Sequence, residues 1–309
     1  MYNIVMEDEM VKRVETFFFL VLFLFSLSPG EEIASRGVVI KSVENMYRKA
    51  SQVVDVVSQA IIGTNVKILK SEKTAEGEEW FLIETPDTYQ GWVKSSSIRV
   101  YKEGEKLYGQ EGNVFDVKTL VAYIYRNESV SDYEPLAFAP ISACLEVGNC
   151  GERWCEVNLP SGEKGWIQKG DGIARETGSK RKRLSPDEMI VLARRFLGLP
   201  YLWGGTTPLG FDCSGFSQLI CRLSGIEILR DASIQFEKSG LLEVRKGKEK
   251  KGDLVFFGRS IDKIIHVGIM INKKEFIHST PHVIPVIQIS KLQDPYWMKI
   301  YQGVRRLPQ

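Results

Sequence analysis

The stretch Tyr201-Leu202-Trp203-Gly204-Gly205-Thr206-Thr207-Pro208-Leu209-Gly210-Phe211-Asp212-Cys213-Ser214-Gly215 decides how this chain is read. It is a glycine-rich loop running into an amphipathic segment, with Phe216, Leu219, Ile220 and Leu223 on one face and Gly225 as the stop. Cys213 therefore stands at a helix N-terminus. Free backbone N–H groups and the positive end of the helix dipole favour a thiolate there and offer hydrogen bonds to an oxyanion. A buried structural cysteine is the plainer alternative. Cys221, in mid-helix, fits that description better.

A nucleophilic cysteine needs a base, and the base needs an orienting partner. The chain has three histidines, His266, His278 and His282, so imidazole chemistry is confined to its last third. Residues 252–257, 264–271 and 275–279 read as strands. His266 interrupts an apolar run, where an imidazole costs free energy unless it finds partners. Asn272-Lys273-Lys274 reads as a hairpin turn, which sets His266 and His278 on adjacent strands. One can act as base while the other fixes its tautomer; two separately satisfied core histidines are the alternative. His282 is read as surface or loop. Upstream, Ser185, Pro186 and Glu188 sign the start of a helix. Its buried face is Met189, Leu192, Ala193, Phe196 and Leu197, and Gly198 and Pro200 end it. The preceding Gly178-Ser179-Lys180-Arg181-Lys182-Arg183 is a basic, solvated linker rather than a nucleic-acid patch.

The 309 residues carry 41 Lys plus Arg against 39 Asp plus Glu, with 43% hydrophobic and 26% charged residues. That balance belongs to a globular protein, and a net charge of +2 gives no reason to expect a nucleic acid or a strongly acidic partner. Residues 17–25 are unbroken apolar sequence behind Lys12 and Arg13 and ahead of Pro29 and Gly30. The run is short of the ~20 residues that span a bilayer and suits the h-region of a secretory signal. Glu7, Asp8, Glu9 and Glu15 are unusual company for it, and no Cys follows to take a lipid. The expectation is export to the periplasm or medium, with no membrane association beyond it. Five cysteines leave at least one unpaired within the chain. Cys144, Cys150 and Cys155 have no histidine nearby to complete a zinc site, so a Cys150–Cys155 disulfide or free thiols are expected there and metal is not.

Residues 40–175 hold an internal repeat. Trp80 and Trp92 are twelve residues apart, as are Trp154 and Trp166, and a proline (Pro86, Pro160) follows the first Trp of each pair by six. Alternation in Trp80-Phe81-Leu82-Ile83-Glu84 and short apolar runs favour strands joined by polar turns, as in a small barrel. Trp92 and Trp166 are expected to pack in the cores. Tyr89 is different: it occupies the turn Asp87-Thr88-Tyr89-Gln90, where Glu163 stands in the second copy, and turns on rigid scaffolds carry contacts.

The spacing of the two copies, over about 40–103 and 115–175, resembles bacterial SH3-like domains. Residues ~184–305 resemble the NlpC-type murein cysteine peptidases, which have a papain-like α+β fold. The matching stretches run from Pro200 to Gly205, Phe211 to Phe216, Gly252 to Phe257, His266 to Ile269 and Phe276 to His278. The resemblance implies Cys213 as nucleophile, His266 as base, His278 as third polar residue and Tyr201 as a contributor near the oxyanion. Two SH3-like domains ahead of such a peptidase, with Arg230-Asp231-Ala232 after the catalytic helix, resemble the gamma-D-glutamyl-L-diamino acid endopeptidases. Those enzymes cut murein stem peptides between D-Glu and the diamino acid, and the first SH3-like domain helps enclose the N-terminal L-Ala. The positions implied at the substrate are Tyr89, Asp55, Trp203, Asp212, Ser214, Asp231 and Ala232. Gln90 separates Tyr89 from Gly91, and two valines separate Asp55 from Ser58, both departures from the family pattern. A free amine is a cation, which Asp55, Asp212 or Asp231 can neutralise. The expected partner is a murein peptide, with diaminopimelate or Lys in third place. No metal or organic cofactor is implied, and no feature bears on oligomeric state. Alternatives are an amidase or endopeptidase acting on intact wall, and a non-catalytic wall-binding protein. The expected organisation is a leader over 1–34, SH3-like domains over 35–105 and 106–177, and the peptidase over 178–309. The fold class is α+β, a papain-like domain behind two small all-β barrels.

Overall fold

The computed structural model describes residues 32–179 and 181–308. The expected export signal lies outside them; of the expected leader only Glu32, Ile33 and Ala34 lie inside, at the head of the first strand. Among the described residues no helix is long and apolar enough to cross a membrane.

The first β-module has seven strands: β1 (Glu32–Val39), β2 (Val43–Tyr47), β3 (Val56–Ile61), β4 (Asn65–Lys73), β5 (Glu79–Glu84), β6 (Gln90–Lys94) and β7 (Ile98–Val100). They lie in the order β3-β2-β6-β5-β4-β1-β7. The second module has β8 (Asn113–Val117), β9 (Val121–Tyr125), β10 (Ala137–Pro140), β11 (Cys144–Cys150), β12 (Trp154–Asn158), β13 (Lys164–Gln168) and β14 (Gly172–Glu176). Their order is β10-β9-β13-β12-β11-β8-β14, the same permutation strand for strand.

The twelve-residue ruler marks a register rather than a core. Val93 and Ile167 are fully buried, and Gly91 and Gly165 face inward beside them. A Cβ on Gly91 would sit 2.8 Å from Met46 Cβ, and one on Gly165 would sit 2.5 Å from Ile124 Cγ2. Only glycine lets these strands close on their cores. Because side chains alternate, Trp92 and Trp166 then point to the opposite face, where they pair with Tyr47 and Tyr125 and are half-buried. The expected core placement of these two tryptophans is thus corrected by the period-2 alternation around the glycine. The first Trp of each pair makes an edge contact with the same tyrosine: Trp80 with Tyr47 at 5.7 Å, Trp154 with Tyr125 at 5.6 Å. A Cys150–Cys155 disulfide closes the β11–β12 hairpin, and Cys144, Cys213 and Cys221 are free.

The modules interlock. Ile62, from the loop after β3, packs into the core of the second module, and Ile141 of the second packs into the core of the C-terminal domain. Buried Asp116 pairs with Lys118, Arg175 and Arg181, so the basic linker is tied down by its first arginine.

The C-terminal domain opens with α1 (Pro186–Arg194), whose Ser185–Glu188 capping box is complete. This helix stops three residues earlier than its apolar spacing suggests. Residues 195–198 form turns, and Leu197 is exposed rather than part of the buried face. The catalytic-loop helix α2 (Cys213–Leu223) and the short α3 (Ala232–Lys238) pack on a six-stranded sheet. The two-residue strands β15 (Thr206–Thr207) and β16 (Gly210–Phe211) pair in the loop before α2, and the sheet contains β17 (Leu242–Val244), β18 (Leu254–Ser260), β19 (Lys263–Met270), β20 (Glu275–Thr280), β21 (Val286–Lys291) and β22 (Tyr301–Arg306). Its order is β17-β22-β18-β19-β20-β21, and α4 (Pro295–Ile300) leads into β22. Phe196, Phe211 and Phe216 meet edge-on at 5.6–6.0 Å and are fully buried. Each such burial contributes about 2–3 kcal/mol of transfer free energy and fixes the loop on the helix that carries Cys213.

Candidate active site

Cys213 is the first residue of α2, and Asp212 is its N-cap, taking a 2.7 Å hydrogen bond from the Gly215 N–H. The glycine-rich loop lies directly on this turn. A Cβ on Gly215 would come 2.2 Å from the Gly205 carbonyl oxygen, and one on Gly205 would come 2.3 Å from that of Gly210. The loop thus tolerates no side chain at either place. The Cys213 Sγ lies 4.0 Å from the carbonyl oxygen of Ile265, the residue before His266. Burial, and then the charge of Asp212, push the thiol up to about 12, against the pull of the Val267 and Ser214 backbone N–H groups. The resting sulfur is therefore a neutral thiol. The helix terminus alone argued for a thiolate; desolvation by the closed surroundings outweighs it.

His266 sits on β19 and His278 on β20. The register Ile269 to Ile277 continues to Gly268 opposite His278, and this places the two histidines diagonally on one sheet face. Gly268 makes the approach possible, since a Cβ there would meet the Phe276 ring at 2.6 Å and His278 Cβ at 3.1 Å. His266 Nε2 and His278 Nδ1 are 2.7 Å apart, and His278 Nε2 is 3.0 Å from Ser290 Oγ. Trp297 of α4 stacks on the His266 ring at 5.0 Å. Burial, opposed by Asp212, takes His266 down to about 3. Burial and the neighbouring imidazoles lower His278 as well. Both rings are neutral at rest. His282 is in the loop after β20, half-buried and stacked on Tyr296 at 3.9 Å.

The residues expected at the substrate fall into three groups. Asp212 and Ser214 belong to a buried knot around Arg230. The guanidinium gives Asp212 two hydrogen bonds, of 3.0 and 2.6 Å, and reaches Ser214 Oγ at 2.8 Å and Ser58 Oγ of the first module at 3.1 Å. Asp212 also accepts from the Gly204 N–H at 3.1 Å, so its carboxylate is consumed in structure. Asp231 and Tyr89 form the second group. Asp231 precedes α3 without capping it, and its carboxylate accepts from the Tyr89 hydroxyl at 3.1 Å. Burial raises the Asp231 carboxyl, with Arg230 and Tyr89 opposing. Burial and then Asp231 raise the Tyr89 hydroxyl, which stays a donor. Ala232, buried, opens α3 beside them. Burial raises the Tyr201 hydroxyl, so it too stays protonated. Trp203 is half-exposed at the rim, in the loop whose Gly204 abuts Val56 of β3. Asp55 is exposed and paired at 3.7 Å with Arg48, whose charge also favours the Asp231 carboxylate.

Sequence reasoning gave no role to Arg230, Ser58 or Gln59, which it met only inside quoted motifs, and did not single out Gln218, Gln235 or Ser290. Gln59 Oε1 accepts from the Thr206 N–H and Thr207 Oγ1 at 3.0 and 3.1 Å, docking β3 on the glycine-rich loop. Gln218 of α2 donates to Asp87 at 2.9 Å, holding the Tyr89 turn. Gln235 donates to the Ser214, Leu229 and Arg230 carbonyls at 2.9–3.3 Å and so fastens the Asp231 segment to the start of α2. The only advance signal was proximity in sequence, Ser58-Gln59 to Asp55 and Arg230 to Asp231.

The site has known counterparts. Residues 198–306 match the NlpC/P60 family. The chain is 30% identical over 259 residues to a gamma-D-glutamyl-L-lysine dipeptidyl-peptidase of Bacillus subtilis, covering 81% of this chain and 80% of that one. It is 29% identical to the Bacillus cereus protein of the same name, again over 259 residues, 81% of this chain and 74% of the relative. The peptidase part alone, 116 residues or 36% of the chain and 42% of the relative, is 38% identical to murein DD-endopeptidase MepH of Escherichia coli. A crystal structure of an NlpC/P60 family protein from Bacillus cereus superposes with a TM-score of 0.75 at 26% identity, covering 89% of this chain and all of the other. With two all-β modules ahead of a cysteine, two coupled histidines and a papain-like sheet, the chain belongs to the NlpC/P60 family of cysteine peptidases.

Proposed function

We propose that the protein hydrolyses the bond between γ-D-Glu and the diamino acid of murein stem peptides that carry a free N-terminal L-Ala. The observation that supports this most is the Tyr89–Asp231 hydrogen bond, in which a turn of the first module meets a half-buried acid of the peptidase domain. Asp212 is already consumed by Arg230 and two backbone donors, and Asp55 is paired on the surface. Asp231 is therefore the acid assigned to the substrate ammonium, a narrower choice than the sequence allowed. A peptide whose N-terminus is blocked leaves that half-buried carboxylate without the ammonium, at a cost of about 2–3 kcal/mol.

The chemistry follows from neutral partners. Cys213 gives its thiol proton to His266 as Sγ attacks the γ-carbonyl, forming the S–C bond and an oxyanion. The first N–H groups of α2 and the Tyr201 hydroxyl stabilise that oxygen. The imidazolium of His266 returns the proton to the departing amine as the C–N bond breaks. Water then attacks the thioester, giving its proton to His266, and releases the thiol. Proton transfer coupled to attack suits a site in which neither the thiol nor the imidazole is charged at rest.

The peptide L-Ala-γ-D-Glu-diaminopimelate and its N-acetyl form test the proposal. Release of diaminopimelate from the free peptide is expected, with kcat/KM lower by about 30- to 150-fold for the acetylated one. Equal rates on both would remove the amine pocket. The MepH likeness, over 36% of this chain, favours a second reading, an endopeptidase acting on intact murein. Faster solubilisation of sacculi than of free tripeptide would select it. We further propose export through the apolar segment 17–25 and an SH3-like identity for both modules, on the spacing of their Trp and Gly-Trp motifs.

A further inference from the structure

The two histidine contacts continue into a third residue. His266, His278 and Ser290 stand on β19, β20 and β21, each twelve residues after the last, and their polar atoms meet at 2.7 and 3.0 Å. The pairings Phe276 to Ser290 and His278 to Gln288 place Ser290 diagonally to His278, as His278 is to His266. The line therefore crosses three strands on one sheet face. Its middle member is fully buried.

We propose that Ser290 is a positioning residue that sets the tautomers of both histidines. This rests on the reading of His266 as the base. For His266 Nδ1 to take the thiol proton, the other nitrogen, Nε2, must carry the ring's hydrogen and donate it to His278 Nδ1. His278 must then carry its hydrogen on Nε2, and that N–H lies against Ser290 Oγ. The opposite arrangement, with hydrogen on His278 Nδ1, obliges His266 Nε2 to accept and leaves Nδ1 protonated and unable to receive the thiol proton. A serine hydroxyl serves either arrangement, so its presence removes the penalty on the competent one. Without it the competent tautomer buries an unpaired N–H, whereas the incompetent one leaves only an unpaired lone pair. Deletion of the hydroxyl thus shifts the pair toward the incompetent form. During attack His266 becomes an imidazolium with hydrogen on both nitrogens, and the same line then requires His278 to accept from it and donate to Ser290.

Ser290→Ala and Ser290→Thr, compared with the unaltered full chain, decide the matter. Ser290→Ala is expected to lower kcat about 10-fold or more with KM within about twofold, and Ser290→Thr to restore kcat within about threefold. With three histidines in the sequence, 15N imidazole shifts can be assigned one by one. They are expected to show hydrogen on Nε2 of His266 and His278 in the unaltered protein and on Nδ1 of His278 in Ser290→Ala. An unchanged kcat in Ser290→Ala, or a fall in kcat with unchanged tautomers, would overturn the assignment. The shifts and the alkylation rate of Cys213 need no substrate. A protein that shows the expected tautomers yet leaves the tripeptide intact would overturn the substrate reading and spare this one.

Discussion

The turn before β6 and the turn before β13 have the same backbone and different tasks. In the first module the Thr85 N–H bonds the Tyr89 carbonyl at 3.0 Å and the Thr88 N–H bonds that of Thr85 at 2.8 Å. In the second, Leu159 to Glu163 and Gly162 to Leu159 repeat these bonds at 2.8 and 2.9 Å. Thr88 and Gly162 both have positive φ, 66° and 95°. Gly162 adopts that conformation freely, but a β-branched threonine does so at a cost of about 1–2 kcal/mol. The first module carries this strain where its neighbours Asp87 and Tyr89 contact α2 and Asp231. The second has Ser161 and Glu163 there, which bond each other at the surface. One scaffold was used twice, and side chains on a single turn separate a wall of the active site from a spacer.

The comparison breaks most severely if the turns are exchanged. Replacing Asp87, Thr88 and Tyr89 together by the Ser, Gly and Glu of the second module sets a carboxylate against Asp231. It is expected to lower kcat/KM on the free tripeptide by about 100-fold or more, with the alkylation rate of Cys213 unchanged. Retained activity would show that the turn is not part of the site. Tyr89→Phe isolates one bond and is expected to cost about 10-fold in kcat/KM. The same variant sharpens the pH dependence. Burial raises the Asp231 carboxyl above its ordinary value while the Tyr89 hydrogen bond lowers it. The ammonium binds the carboxylate form, so KM for the free peptide should rise as pH falls through this raised pKa. In Tyr89→Phe that rise should begin at higher pH, and the acetylated peptide should not show it. Smallest of all is Glu163→Tyr, an exposed change in the second module. It should alter stability by no more than about 0.5 kcal/mol and leave kcat/KM within twofold.

What the sequence revealed was local. The helix start at Cys213, the hairpin joining β19 and β20 and the capping box at Ser185 each depend on neighbours within about a dozen residues, and each stands in the structure where its spacing put it. What stayed hidden depends on which faces meet. Arg230 reads as an ordinary charged residue, yet it is 2% exposed because β3 covers it. Trp92 reads as core, yet the glycine before it takes the inward place. The charge state of Cys213 follows from the walls built around the helix end, which no spacing records. Ser290 joins the histidines only through the pairing of β20 with β21.

The guanidinium of Arg230 spans 172 residues of sequence when it meets Ser58. A cation withdrawn from water needs each of its acceptors, and one of them is made near the start of the chain, long before the catalytic helix exists. If that module is clipped, misfolded or displaced, the N-cap of the catalytic helix loses the packing that keeps its counter-ion dry. On the proposed function, a copy without its first module would lose its specificity and the support of its catalytic helix in one stroke.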